Sequence, residues 1–198
     1  HRVHYLKGKY GAKEILDEVL QNIDSSMLDH TTIGEFDKEI YTGLNYEEDE
    51  KQLRRLLNFY ISYKYRDRIL NKLMKKFFNE EQLFKEVYLS VNEIKKLVMS
   101  ENIVGSHSVS HRVLSRLSYQ EQYNEIENSF DFLNNIVNQN YKSFCYPYGY
   151  KSSYNSDTLK ILSKLNVDDA CVFDNKIQDD EIKRYELSRT DCNQFLEV

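Results

Sequence analysis

From residue 102 onward, short apolar runs alternate with helix-length amphipathic stretches, and that rhythm restricts the fold more than any other feature of the chain. "NIVGSHSVS" (102–110) carries the apolar pair Ile103-Val104 between Asn and Gly, the pattern of a short buried strand running into a loop. A long helix is predicted over 119–137, with Ser118 and Glu121 spaced as a capping box and Tyr123, Ile126, Phe130, Leu133 and Val137 as its stripe. "KSFCYPYG" (142–149) reads as a strand ending in a turn, and 156–166 as a helix capped by Ser156. "DACVFD" (169–174) and "RYELSRTDC" (184–192) are two further strand candidates. Alternation of this kind implies an α/β fold, a parallel sheet or barrel with its helices outside. Chemistry in such folds gathers at the carboxyl ends of the strands, where both "SHSVSH" and "YPYG" fall.

The first hundred residues have a different character. Apolar residues recur at spacings of three and four over 12–23, 49–65, 67–78, 80–88 and 90–100, which predicts helices throughout. Ser90 and Glu93 form a second capping-box signature. Residues 24–48, with Gly34 and Gly43, read as loop. The expected organisation is a helical insertion or subdomain over 1–88 followed by an α/β part over 89–198. The basic run "KLMKKFF" (72–78) has helical spacing and reads as a solvated helix side.

Composition excludes several classes. The net charge is -5 over 198 residues, which argues against a partner bound through nucleic-acid phosphates, since that would need a basic face. No apolar run approaches the ~18 residues of a membrane span. The three cysteines, Cys145, Cys171 and Cys192, are widely spaced, which speaks against a disulfide framework or zinc knuckle and favours a reducing, cytoplasmic setting. The chain opens "HRVHYLKGKYG" without Met, so any targeting segment is expected upstream, and oligomeric state is not readable.

Two features could carry chemistry. His107 and His111 stand four apart at a predicted strand end, with Ser106, Ser108 and Ser110 before and between them. Two imidazoles brought to one face can ligate a zinc-like ion if a third group backs them, and the serines could orient the rings. The alternative is a polar capping loop with exposed histidines. Pro147 is the chain's single proline, in "CYPYG". It demands a defined turn, whose flanking Tyr146 and Tyr148 would suit the wall of a sugar-binding cleft. Backbone N–H groups in such a turn could also hold an oxyanion. His1, His4 and His30 read as helix surface or loop, and Cys145 as a small buried residue.

"VGSHSVSHRVLSRLS" (104–118), a helix, and then "FCYPYG" (144–149) resemble the NodB-homology polysaccharide deacetylases, carbohydrate esterase family 4. His107-Ser108-Val109-Ser110-His111 matches the family's H-[ST]-x-x-H motif in full. Tyr146-Pro147-Tyr148-Gly149 matches most of its R-x-P-Y-G motif, with Cys145 in place of the arginine. "RTDC" (189–192) is similar to a late arginine-bearing strand of the family. The resemblance covers about 89–198. It implies a distorted (β/α) barrel, incomplete in this chain, and metal-dependent hydrolysis of an N-acetyl group on a sugar or glycan. Carried over, His107 and His111 would be ligands of one divalent ion, zinc or cobalt. Tyr148 would supply an oxyanion N–H, Tyr146 and Pro147 would border the substrate, and Arg189 would tune the base.

Two departures bear on this implication. The family's T-F-D-D-G motif, source of the general base and third metal ligand, has no counterpart here: Asp168-Asp169 precedes a strand and Asp179-Asp180 sits in a charged loop. It is expected upstream of residue 1, so the chain alone is expected to work far below an enzyme's rate. No histidine follows His111, so the family's late general acid is missing too. The competing expectations are a non-catalytic relative that binds carbohydrate or a partner, and an interaction protein whose helical half is the functional part.

Overall fold

Leu53, Leu57, Leu70, Leu73 and Met74 are each at most 5% exposed, which is why the N-terminal half folds as packed helices rather than isolated ones. The protein is described by a computed structural model that covers residues 2–30, 46–78, 80–173 and 184–189. It divides into two compact units, His1–Tyr88 and Leu89–Val198.

The first unit contains α1 (Arg2–Tyr10), α2 (Ala12–Leu20), α3 (Glu48–Arg55), α4 (Tyr63–Phe77) and α5 (Glu80–Val87). Leu6, Ile15, Leu16 and Val19 of α1 and α2 share one core with α3 and α4. Burying each such side chain stabilises the fold by roughly 1.5–3 kcal/mol. The single helix predicted over 49–65 is broken. After α3 the chain widens into a π-turn, Leu56–Tyr60, closed by the Ile61 N–H donating to the Leu56 carbonyl at 2.9 Å. Ile61 then bridges Leu28 in antiparallel fashion, and the Ser62 N–H donates to the Met27 carbonyl. A non-local backbone pairing thus overrides a helical stripe. His4 lies exposed on α1, and His30 Nε2 bonds the Ser25 carbonyl at 3.1 Å. The expected loop glycines Gly34 and Gly43, and His1, fall outside the described residues.

The second unit contains α6 (Val91–Met99), α7 (Tyr119–Ile136), β1 (Ser143–Cys145), α8 (Ser156–Lys164), β2 (Asp169–Val172) and β3 (Leu187–Ser188). Both capping boxes form: Ser90 with Glu93 at the start of α6, Ser118 with Glu121 at the start of α7. The cap of α8 is Asn155, not Ser156, because its amide oxygen reaches the N–H groups of Asp157 and Thr158. The strands form a parallel sheet in the order β1-β2-β3, with Cys145 beside Cys171 and Cys171 beside Leu187. Helix α8 makes the β1-to-β2 crossover. Phe144, Ala170 and Val172 are buried with Ile126, Phe130, Ile161 and Leu162, so one face of the sheet carries the core.

Ile103-Val104 is not a buried strand: Ile103 is 58% exposed. The Gln139 amide accepts from the Val104 N–H and donates to its carbonyl, standing in for a strand neighbour. Pairing begins at Ser106, which bridges Phe144 in parallel: its N–H donates to the Ser143 carbonyl and its carbonyl accepts from the Cys145 N–H, both at 2.8 Å. The predicted strand 169–174 ends at Val172, and Asp174, Asp179, Asp180 and Cys192 fall outside the described residues. No described helix is long and apolar enough to cross a membrane.

Candidate active site

His107 follows the Ser106 bridge, the Pro147 turn follows β1, Phe173 follows β2 and Arg189 follows β3. In a parallel sheet these positions share one end. The His107 and His111 rings meet edge to face with centroids 4.8 Å apart, and the Tyr148 ring packs on His111 at 4.9 Å.

The His107 ring is fixed from β1. Its Nδ1 lies 2.7 Å from the Cys145 carbonyl oxygen. A carbonyl only accepts, so Nδ1 carries the proton and Nε2 of the neutral ring keeps its lone pair. This is the arrangement in which a histidine ligates through one nitrogen while a carbonyl holds the other. Desolvation at the ring lowers the His107 pKa, the Cys145 carbonyl raises it, and the Arg189 charge lowers it; the net direction is down, toward the neutral ring. Burial pushes the Cys145 and Cys171 thiols up, while Arg189 opposes the rise at both. Arg189, itself exposed, therefore acts electrostatically on the end of β1 and β2 as well as on His107.

The loop backbone is strained where the function would need it. Among the described residues, five non-glycine positions have positive φ: Glu101, Ser108, His111, Tyr148 and Asn166. Glu101 and Asn166 sit just past the ends of α6 and α8, where such a residue commonly ends a helix. The other three belong to the histidine loop and the Pro147 turn, and conformations of this kind persist only where surrounding contacts impose them. The serine hydroxyls bond the backbone, a carboxylate and another hydroxyl, and not the imidazole rings as expected. Ser108 Oγ accepts the His111 N–H at 3.2 Å, Ser110 Oγ donates to Glu125, and Ser106 Oγ pairs with Ser129 Oγ.

Tyr146 requires a correction. It is 1% exposed, stacks on Tyr154 with centroids 4.2 Å apart, and donates its hydroxyl to the Tyr185 carbonyl at 2.7 Å. It is a core residue under the turn, not a cleft wall. Pro147 is buried as well, whereas Tyr148 is half-buried at His111. Gly149 closes the turn: its carbonyl accepts the Phe173 N–H at 2.9 Å, tying the β1 loop to the end of β2.

His107 and His111 suit a divalent ion in donor type, and His107 also in tautomer. Among the described residues no group of three or more His, Cys, Asp or Glu side chains is placed to hold one. Sequence reasoning missed two contributors, the Cys145 carbonyl and Glu125. Only the second left a trace in the sequence: Gln122, Glu125 and Ser129 form a polar line at helical spacing beside the apolar stripe of α7.

No curated protein matches the chain. Among solved structures it is similar to the Streptococcus pyogenes deacetylase PplD, determined in complex with acetate. The match has 24% identity and a TM-score of 0.49, and covers 62% of this chain and 57% of that one. The chain thus spans little more than half the length of that structure. The family model described as polysaccharide deacetylase matches residues 69–170. The match begins inside α4, earlier than the motifs suggested, and ends before β3 and Arg189. It takes in the histidine loop, α7 and the Pro147 turn alike and runs over more than half of the 198 residues, so the chain belongs to the polysaccharide deacetylase family.

Proposed function

We propose that this protein is a metal-dependent hydrolase that removes N-acetyl groups from an amino-sugar glycan or polysaccharide, on a distorted (β/α) barrel of which β1, β2 and β3 form an arc. The observation that carries this reading is the His107–His111 ring pair, 4.8 Å between centroids, with His107 anchored to the Cys145 carbonyl. His107 and His111 would hold one divalent ion, zinc or cobalt, through imidazole nitrogen. Such an ion, when bound, polarises an acetyl carbonyl and lowers the pKa of a bound water.

The chain's own residues would do the rest of the positioning. The Cys145 carbonyl keeps the His107 proton on Nδ1. The Tyr148 N–H, in a turn pinned by Gly149 and Phe173, would donate to the oxyanion that forms when the acetyl carbon becomes tetrahedral. Arg189 would favour negative charge at the same end of the sheet. The buried Tyr146 and Pro147 would fix the turn from below.

The test is acetate release from an N-acetylglucosamine oligomer with zinc or cobalt. It is measured for the 198-residue chain and for a version carrying any residues encoded upstream. Release that disappears in H107A and in H111A supports the reading. Release that survives both substitutions contradicts it. Oligomer binding without release in either version would identify a sugar-binding relative instead.

A further inference from the structure

We infer that Glu125 is the positioning residue of the histidine loop: its carboxylate, presented from α7, sets the backbone of residues 108–111 and thereby the relation of the two imidazoles. The inference rests on the reading of His107 and His111 as a ligand pair. Glu125 Oε2 accepts the Val109 N–H at 3.0 Å and the Ser110 N–H at 2.8 Å. Its Oε1 accepts the Ser110 hydroxyl at 2.5 Å. Both carboxylate oxygens are thus directed at one short stretch of loop.

That stretch is bounded by strain. Ser108 has φ 62° and His111 has φ 54°. Consecutive N–H groups beside residues of this conformation converge on one point and form an anion-binding concavity. Here the anion is a side chain of the same protein. Apolar packing does little for the loop, since Val109 is 62% exposed. Charge-assisted hydrogen bonds, stronger than neutral ones, therefore replace a core as the source of order. Helix α7 is itself well held. Gln122 is fully buried, donates to the Leu117 carbonyl at 3.0 Å and accepts the Thr158 hydroxyl at 2.6 Å. One turn beyond Glu125, Ser129 bonds the Ser106 hydroxyl immediately before His107. The helix therefore grips the loop on both sides of the first histidine.

The experiment compares cobalt(II) affinity of the wild-type chain, E125Q and E127Q, together with amide and imidazole NMR of the same proteins. Glu127 is a control on the same helix, where it accepts the Tyr123 hydroxyl at 2.6 Å, away from the loop. E125Q is expected to bind cobalt about 10–100-fold more weakly, the range for residues that orient ligands, while E127Q stays within about twofold of wild type. The Val109 and Ser110 amide signals should also move in E125Q alone. E125Q binding as tightly as wild type overturns the inference. Should the wild-type chain take up no cobalt, the ligand reading fails and the NMR arm decides this one. Loss of the His107–His111 ring contact in E125Q then supports it, and unchanged loop signals overturn it. Should E125Q not fold, amide exchange in the wild type decides: slowed exchange at Val109 and Ser110 supports the clamp, and exchange at free-peptide rates overturns it.

Discussion

The Nδ1 of His107 stands 2.7 Å from the carbonyl oxygen of Cys145, a side chain of one loop anchored to the last backbone group of β1. The partner is a backbone group, so the anchor does not depend on the cysteine side chain that replaces the family's arginine. The tautomer is then fixed by geometry. Imidazole nitrogen NMR of the metal-free protein should show His107 protonated at Nδ1 and unprotonated at Nε2, and C145S should leave that pattern unchanged. The opposite tautomer would remove His107 from the ligand set as described.

Gly149 ties the Pro147 turn to Phe173 at the end of β2, and the structure leaves no room for a side chain there. Its φ is +71°, and an added Cβ would lie 2.6 Å from the Phe173 backbone nitrogen and 2.7 Å from its Cβ. Positive φ costs an L residue about 1–3 kcal/mol, and crowding of this order adds about 1–3 kcal/mol. G149A should therefore destabilise the second unit by about 2–6 kcal/mol in urea unfolding. G105A, where an added Cβ meets the Ser143 carbonyl oxygen at 2.9 Å without unfavourable φ, should cost less. Equal losses would mean that the Gly149 turn gives way easily.

Much of this arrangement was legible before any coordinates. Ser118 with Glu121, and Ser90 with Glu93, marked two helix starts because a capping box is a local device needing nothing beyond four residues. The parallel sheet followed from the alternation of strand and helix patterns. What stayed hidden was set by contacts distant in sequence. The break at Ile61 arises from pairing with Leu28, which no helical stripe announces. The role of Glu125 depends on loop conformations that serine and histidine do not advertise as glycine would. Tyr146 is a different case. It follows Phe144 by two, and strand periodicity alone would have placed both on the core face; reading it as a cleft wall gave the turn precedence over the strand.

Acid should loosen the helical unit through Glu50. Burial pushes its carboxyl up, but hydrogen bonds from Lys7 at 2.9 Å and Arg54 at 2.7 Å, with their charges, bring it below the ordinary value. A carboxyl whose folded pKa lies below its unfolded one stabilises the fold above the unfolded value, about 4.3, and that contribution is lost as pH falls through the folded value. Thermal unfolding should show wild type more stable than E50Q at neutral pH, with the gap closing below about pH 4. A gap that is unchanged or wider in acid would contradict the assignment.

The central claim is that His107 and His111 bind one metal ion together, and proton NMR of the cobalt(II)-loaded chain tests it most directly. A paramagnetic ion ligated by imidazole shifts the ring N–H proton far outside the normal range. The account predicts shifted, exchangeable imidazole signals from both residues, the one on Nδ1 of His107 exchanging slowly because the Cys145 carbonyl holds it. H107A should remove that signal and H111A the other. A saturating titration that yields no shifted imidazole signal, or shifted signals that persist in both variants, would contradict the account.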